Sequence, residues 1–298
     1  EFAQSNPIDL LCEEGLDPLS PAPFKGNVDL EKLEELLKGP ESNKIPFVLM
    51  TITNNTGGGQ PVSMDNLKKV KELCKKYNKM FLLDACRFAE NAWFVSQREE
   101  EYKDVEIREI AKEAFRLADG CTISLKKDGF GNIGGVLAFN DDAMAEAARN
   151  LLILTEGFPT YGGLAGRDLD ALAQGLKEIT DKNYLEYRAR SISYLAEKAL
   201  SYDIPVVQPA GGHALYIDAK TFLPNIPPHE YPGHSVACEI YLIGGVRAVE
   251  LGTLAFGVAN ENGEPDTPAT HELVRLAAPR RTYTCLLYTS DAADDRLS

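Results

Sequence analysis

Two side chains set the chemistry that this sequence could perform. Asp84 ends the apolar run MFLLD, and Lys127 follows the next such run in CTISLKK. A carboxylate at the carboxyl end of a parallel strand faces the crevice where α/β folds bind ligands. The same aspartate could instead cap the helix that follows. Adjacent lysines usually serve solubility, yet a partly desolvated one is a nucleophile. An aspartate and a lysine on neighbouring strand ends, in this order, suit pyridoxal phosphate: the lysine forms the Schiff base, and the carboxylate keeps the pyridine nitrogen protonated. Ser124 adds a hydroxyl for a phosphate oxygen. Lys126 adds positive charge, which favours the neutral form of its neighbour.

Other residues point less sharply. NNTGGGQP brings Asn55 to a strand end beside flexible glycines. Such a loop could approach a cofactor closely or be a plain turn. It lacks the GxGxxG and GxxxxGK[ST] spacings of dinucleotide and P-loop sites. His213, His229, His234 and His271 form no ligand pattern, and His213 in GGHALYID reads as structural. Arg280 follows RLAAP, where a guanidinium could grip a carboxylate or be a surface charge.

The elements around these residues alternate. IPFVLMTIT, KMFLLDA, CTISL and GGVLAFN read as strands, and SMDNLKKVKELCKKY and EIREIAKEAFRLADG as amphipathic helices, the first capped by Ser63. This rhythm predicts an α/β domain on a parallel sheet. Three helical stretches follow from DDAMAEAARN to EKALSY. IPVVQPAGGHALYIDAK then reads as strands, SVACEIYLIGG as a helix and HELVRLAAP as a last strand. The domains expected are a large one over 1–181, a connecting helix over 182–204 and part of a smaller α+β domain over 205–284. The run 285–298 resembles translated vector sequence and is set aside.

A length of 298 residues suffices for about two domains. The net charge of −14 argues against nucleic-acid or anionic-membrane partners, which need basic patches. No run is long enough to span a bilayer. Six scattered cysteines without a CxxC pair read as reduced thiols of a cytoplasmic protein.

NNTGGGQPVSM, DACRFAENAWF, SLKKD, EGFPTYGGLAGRD, QPAGGH and RLAAPRRTYT together resemble the tryptophanase and tyrosine phenol-lyase family, from about Pro23 to Thr284. The resemblance implies a fold type I pyridoxal-phosphate lyase that removes the side chain of an aromatic amino acid by β-elimination, leaving pyruvate and ammonia. It implies Lys127 as the Schiff-base lysine, Asp84 on the pyridine nitrogen, Asn55 and Arg87 on the ring 3-oxygen and Ser124 on the phosphate. It also implies Arg280 on the substrate α-carboxylate, and Asn132 as a carbonyl ligand of a monovalent cation, K+ or NH4+. Leu251 occupies a position where phenol-lyases resemble one another in carrying an arginine. An apolar residue there leaves a phenol hydroxyl without a partner, which favours tryptophan over tyrosine. Family members are homotetramers with an additional N-terminal segment and a longer C-terminal one, so the resemblance implies a fragment, which could itself be inert.

Overall fold

The structure is a computed structural model that describes residues 6–260 and 265–281. The non-native tail expected over 285–298, with Cys285, lies outside the described residues. The chain divides into two compact units. One holds the residues up to Gly15, Phe24–Thr53 and Pro61–Lys182; the other holds Leu16–Pro23, Asn54–Gln60 and the chain from Asn183 onward.

The first unit runs α1 (Leu30–Lys38), β1 (Phe47–Thr51), α2 (Met64–Lys76), β2 (Met80–Asp84), α3 (Phe88–Arg98), α4 (Ile107–Leu117), β3 (Gly120–Ser124), β4 (Gly135–Phe139), α5 (Asp142–Thr155) and α6 (Gly166–Glu178). The sheet order is β1-β2-β3-β4. The first three strands are parallel, with Thr51 and Asp84, the last residues of β1 and β2, in register with Thr122 of β3. Strand β4 departs from the parallel pattern and pairs antiparallel with β3, Ile123 opposite Val136. Helices fill both earlier connections, as parallel crossovers require, whereas Leu125–Gly134 contains no helix and simply turns the chain back.

Helix α2 begins where Ser63 accepts a hydrogen bond from the Asn66 N–H at 3.0 Å, and it buries Leu67, Val70 and Cys74. Helix α4 buries Ile107, Ile110, Ala111 and Ala114 on one face. Met50, Phe81, Leu83 and Ile123 are buried apolar residues of the strands, while Phe47, Leu49 and Leu137 are exposed. Helix α3 differs from both. Every residue from Phe88 to Ser96 is buried, including Glu90 and Asn91, so it has no polar face to alternate with an apolar one.

The second unit contains α7 (Lys182–Ser201), β5 (Ala214–Asp218), α8 (Ala219–Phe222), α9 (Pro232–Gly244), β6 (Val249–Leu251), α10 (Thr253–Phe256), β7 (Val258–Ala259), β8 (Pro265–Thr267) and β9 (Leu273–Ala277). Strands β5, β9 and β6 form an antiparallel sheet in that order. Ile192, Val206, Leu215, Ile217 and Val274 are in its core. The stretch IPVVQPAGGHALYIDAK was expected to hold strands, yet its one strand is Ala214–Asp218, and Val206 makes a lone bridge to Ile217. Pro205 and Pro209 lack the N–H that a ladder needs. Helix α9 starts earlier than SVACEIYLIGG suggested, with Pro232 in its first turn, and ends at Gly244, capped by Gly245 with φ 65°.

Candidate active site

In the first unit the expected cofactor residues gather at the carboxyl ends of β2 and β3. Asp84 is the last residue of β2 and is half-buried. The chain then turns through Ala85–Arg87 into α3. That turn is fixed on both sides: Ala85 N–H donates to Thr122 O at 2.9 Å and Arg87 N–H to Ile52 O at 3.1 Å. Cys86 sits at its centre. Its N–H donates to Asp84 Oδ1 at 3.3 Å, and its Sγ accepts the Ser124 N–H at 3.1 Å. Burial pushes the Cys86 thiol up, and the Asp84 carboxylate pushes the same way; the Ser124 N–H and the charge of Lys127 oppose them. Asp84, Ser124 and Lys127 therefore all act on one sulfur atom.

Burial separates the two lysines. Lys126 is exposed, Lys127 half-buried and Asp128 fully buried. Lys127 N–H donates to Ser124 O at 3.1 Å and Phe130 N–H to Lys127 O at 3.1 Å, so the lysine lies within a tight turn. Asp128 Oδ2 accepts the Ala89 N–H at 2.8 Å in the first turn of α3. The carboxylate thus ties the lysine turn to the helix that carries Arg87, whose side chain is buried. The following glycines serve packing. A Cβ on Gly175 of α6 would collide with Gly129 O, and one on Gly131 with Leu172. Gly134 has φ 108°, a left-handed conformation that favours glycine. Asn132 is on this turn and is exposed.

The second unit gathers Asn55, Leu251 and Arg280. Asn55 Oδ1 accepts from Arg275 Nη1 at 2.8 Å and from the Tyr216 hydroxyl at 3.0 Å, and lies 3.1 Å from His213 Nε2. His213 and Tyr216 are 2.7 Å apart. His213 precedes β5 rather than lying within it, and it helps hold an expected cofactor residue in place. The glycines beside Asn55 are needed for close packing: at Gly58 a Cβ would lie 2.7 Å from Val207, and at Gly59 2.9 Å from the His213 ring. Leu251 is buried in a cluster with Val207, Ala214, Tyr216 and Leu273, so it packs on the tyrosine that holds Asn55. The exit from β9 is anchored twice. Ala278 N–H donates to His213 O at 3.0 Å, and Ala278 O accepts from Arg188 Nη2 at 3.0 Å. Arg280 beyond it is half-buried, whereas Arg281 is exposed with its guanidinium 5.6 Å from the centre of the Tyr184 ring.

Cys86, Asp128, Tyr216 and Arg275 are therefore residues of these clusters that sequence reasoning passed over. Cys86 and Asp128 lie within the quoted runs DACRF and SLKKD, and only their contacts distinguish them. Tyr216 and Arg275 are cross-strand partners of β5 and β9, a pairing that no local pattern reveals. Among the described residues no group of three or more His, Cys, Asp or Glu could hold a metal ion. No described helix is long and apolar enough to cross a membrane.

Comparison with known proteins gives the family. The chain is 58% identical over 277 residues to a tryptophanase of Hyphomonas neptunium and 56% identical over 276 residues to one of Rhodobacter capsulatus. It is 47% identical over 277 residues to a tyrosine phenol-lyase of Pasteurella multocida. Each match covers 93% of this chain and 60% of the relative, so the chain spans about three-fifths of the length of these proteins. Residues 1–291 match the family described as beta-eliminating lyase, and with a lysine turn, an aspartate-ended strand and relatives of this kind, the chain belongs to that family.

Proposed function

We propose that this chain carries the catalytic residues of a pyridoxal-phosphate-dependent lyase that converts L-tryptophan to indole, pyruvate and ammonia. The observation that carries the reading is that Asp84 and Ser124 end adjacent parallel strands, both hydrogen-bonded to Cys86, with the half-buried Lys127 in the turn directly after Ser124. These residues fit the cofactor: an acceptor at a strand end for a protonated ring nitrogen, a hydroxyl beside it and an amine from the next strand. When bound, the cofactor withdraws electrons from the substrate Cα.

The chain's residues then have distinct tasks. Lys127 Nζ holds the cofactor at rest and takes the proton from the substrate Cα. The Asp84 carboxylate keeps the proton on the ring nitrogen. Arg87 and Asn55 bond the ring 3-oxygen, and Ser124 a phosphate oxygen. Asn55 is pre-aimed by Arg275, Tyr216 and His213, so no rotamer entropy is lost when the cofactor binds. Arg280 grips the substrate α-carboxylate with its forked donors. The Asn132 carbonyl contributes to a K+ or NH4+ site. The division into a cofactor domain over 1–181, a connecting helix over 182–204 and a partial small domain over 205–284 belongs to the same reading, as do a homotetramer and a cytoplasmic location.

Tryptophan is preferred because the tryptophanase relatives are more similar than the phenol-lyase ones, and because Leu251 offers a phenol hydroxyl no partner. Conversion of tyrosine to phenol is the second reading, supported by 47% identity to a protein of that name. The test supplies each amino acid with pyridoxal phosphate to a chain extended to the relatives' length, and quantifies indole and phenol separately. A kcat/KM ratio favouring tryptophan is expected. A ratio favouring tyrosine would refute the substrate assignment, and loss of neither product on Lys127→Ala would refute the mechanism.

A further inference from the structure

Two buried glutamates stand next to Leu251 without a role in the reaction. Glu250 is on β6, and Glu272 immediately precedes β9; both are almost completely buried. Their strands run antiparallel with Leu251 opposite Leu273, which sets Gly252 beside Glu272. A Cβ on residue 252 would collide with Glu272 Oε2 and lie 2.7 Å from Glu250 Oε1, so one oxygen of each carboxyl faces the same small space over the glycine. The other Glu272 oxygen is occupied. Oε1 accepts the Thr253 N–H at 3.0 Å and the Thr253 hydroxyl. Glu250 Oε1 accepts the Leu254 N–H at 3.2 Å. Glu272 Oε2 has no hydrogen-bond partner among the described residues.

Two ionised carboxylates do not persist side by side in a buried space without a cation. We propose that Glu250 and Glu272 hold one proton between them, and that this shared proton clamps the Gly252–Leu254 turn behind Leu251. The proton supplies the donor that Glu272 Oε2 otherwise lacks; Glu250 Oε1 takes it on one lone pair and the Leu254 N–H on the other, while Glu272 Oε1 keeps the Thr253 N–H and hydroxyl. Glycine at 252 is required because any side chain would occupy the space between the carboxyls. The two glutamates are thus positioning residues. Leu251 packs on Tyr216, and Tyr216 holds Asn55, so the clamp bears on an expected cofactor contact. That last link rests on the lyase reading; the shared proton does not.

Burial pushes both carboxyls up, and at Glu272 the charge of Glu250 pushes the same way. His234 on α9 opposes the rise at Glu250, and Lys220 on α8 opposes it at Glu272. With raised native values, the stabilisation is complete below the unfolded glutamate value of about 4.3. It is lost as pH rises through the native value.

Hydrogen exchange at the Thr253 and Leu254 amides reads the clamp directly, on the chain itself and without any need for activity. With intrinsic rates divided out, protection is expected to fall by up to about tenfold for each pH unit between the unfolded glutamate value and the raised native one, and to level off above it. Glu272→Gln keeps an oxygen for Thr253 and offers a permanent N–H to Glu250, so its protection should stay level with pH. Glu272→Ala should lose protection at every pH. A level profile in the unsubstituted chain, or an unchanged pH dependence in Glu272→Gln, would overturn the proposal. Should Glu272→Gln fail to fold, infrared difference spectra of the unsubstituted chain with labelled glutamate decide the matter. A protonated-carboxyl band that persists above about pH 6 supports sharing, and its absence overturns it. Absence of lyase activity alters none of these readings.

Discussion

Replacing Asp128 with alanine tests how the lysine turn is held. The carboxylate is fully buried and accepts the Ala89 N–H at 2.8 Å in the first turn of α3. Loss of a cap costs about 0.5–2 kcal/mol. Ala89 is itself fully buried, so its N–H would be left unsatisfied, at about 1–3 kcal/mol. These overlap in part, and a net loss of roughly 2–4 kcal/mol is expected. Asp128→Asn keeps an acceptor and forfeits only the charge at the helix N-terminus, roughly 0.3–1 kcal/mol, up to about 2 in a buried setting. Urea unfolding of the three chains at neutral pH measures both values from the midpoints at constant slope. The expected order is unsubstituted, Asn, then Ala, with the larger gap before Ala. If Asp128→Ala lay within about 0.5 kcal/mol of the unsubstituted chain, the tie to α3 would contribute nothing and the reasoning would fail. If the asparagine variant were as unstable as the alanine one, charge rather than the hydrogen bond would be the cause.

Further consequences can be checked in parallel. Borohydride reduction in the presence of pyridoxal phosphate, followed by peptide mapping, should place the pyridoxyl group on the half-buried Lys127; a label on the exposed Lys126 would reverse the assignment. Asp84→Asn should abolish most turnover in a chain of the relatives' length yet shift stability by less than about 1 kcal/mol, since its weak bond to the Cys86 N–H survives the exchange. Near-normal turnover would remove Asp84 from the mechanism. Gly175→Ala gains about 1 kcal/mol of helix propensity but drives a methyl into Gly129 O, an overpacking cost of about 1–3 kcal/mol. A raised melting temperature would show that α6 does not press on the lysine turn. The buried Cys74 thiol is pushed up to about 11 by desolvation, so at neutral pH it should resist alkylation while the exposed Cys238 reacts. Equal labelling in the folded chain would contradict that burial.

Much of this protein is legible in its residues because the patterns concerned are local. Ser63 caps α2, apolar spacing marks α4, and short apolar runs mark β1 to β3; each depends on neighbours a few residues away. Lys127 and Asp84 were legible for a related reason. Each ends a strand-like run, and parallel strands joined by helices bring such ends side by side. What escaped depended on distant partners. Helix α3 is buried all round, and a helix without a polar face has no periodicity to detect. Strand β4 turned out antiparallel because its connection lacks a helix, not because its composition differs. The proline-rich half of IPVVQPAGGHALYIDAK had strand-like hydrophobicity but too few N–H groups to join a ladder. His213, Tyr216 and Arg275 acquire meaning only when β5 and β9 pair and bring all three side chains onto Asn55 Oδ1. Glu250 and Glu272 are ordinary acidic letters in the sequence. Burial, the register of β6 on β9 and the missing side chain of Gly252 bring them together, and only tertiary structure decides all three.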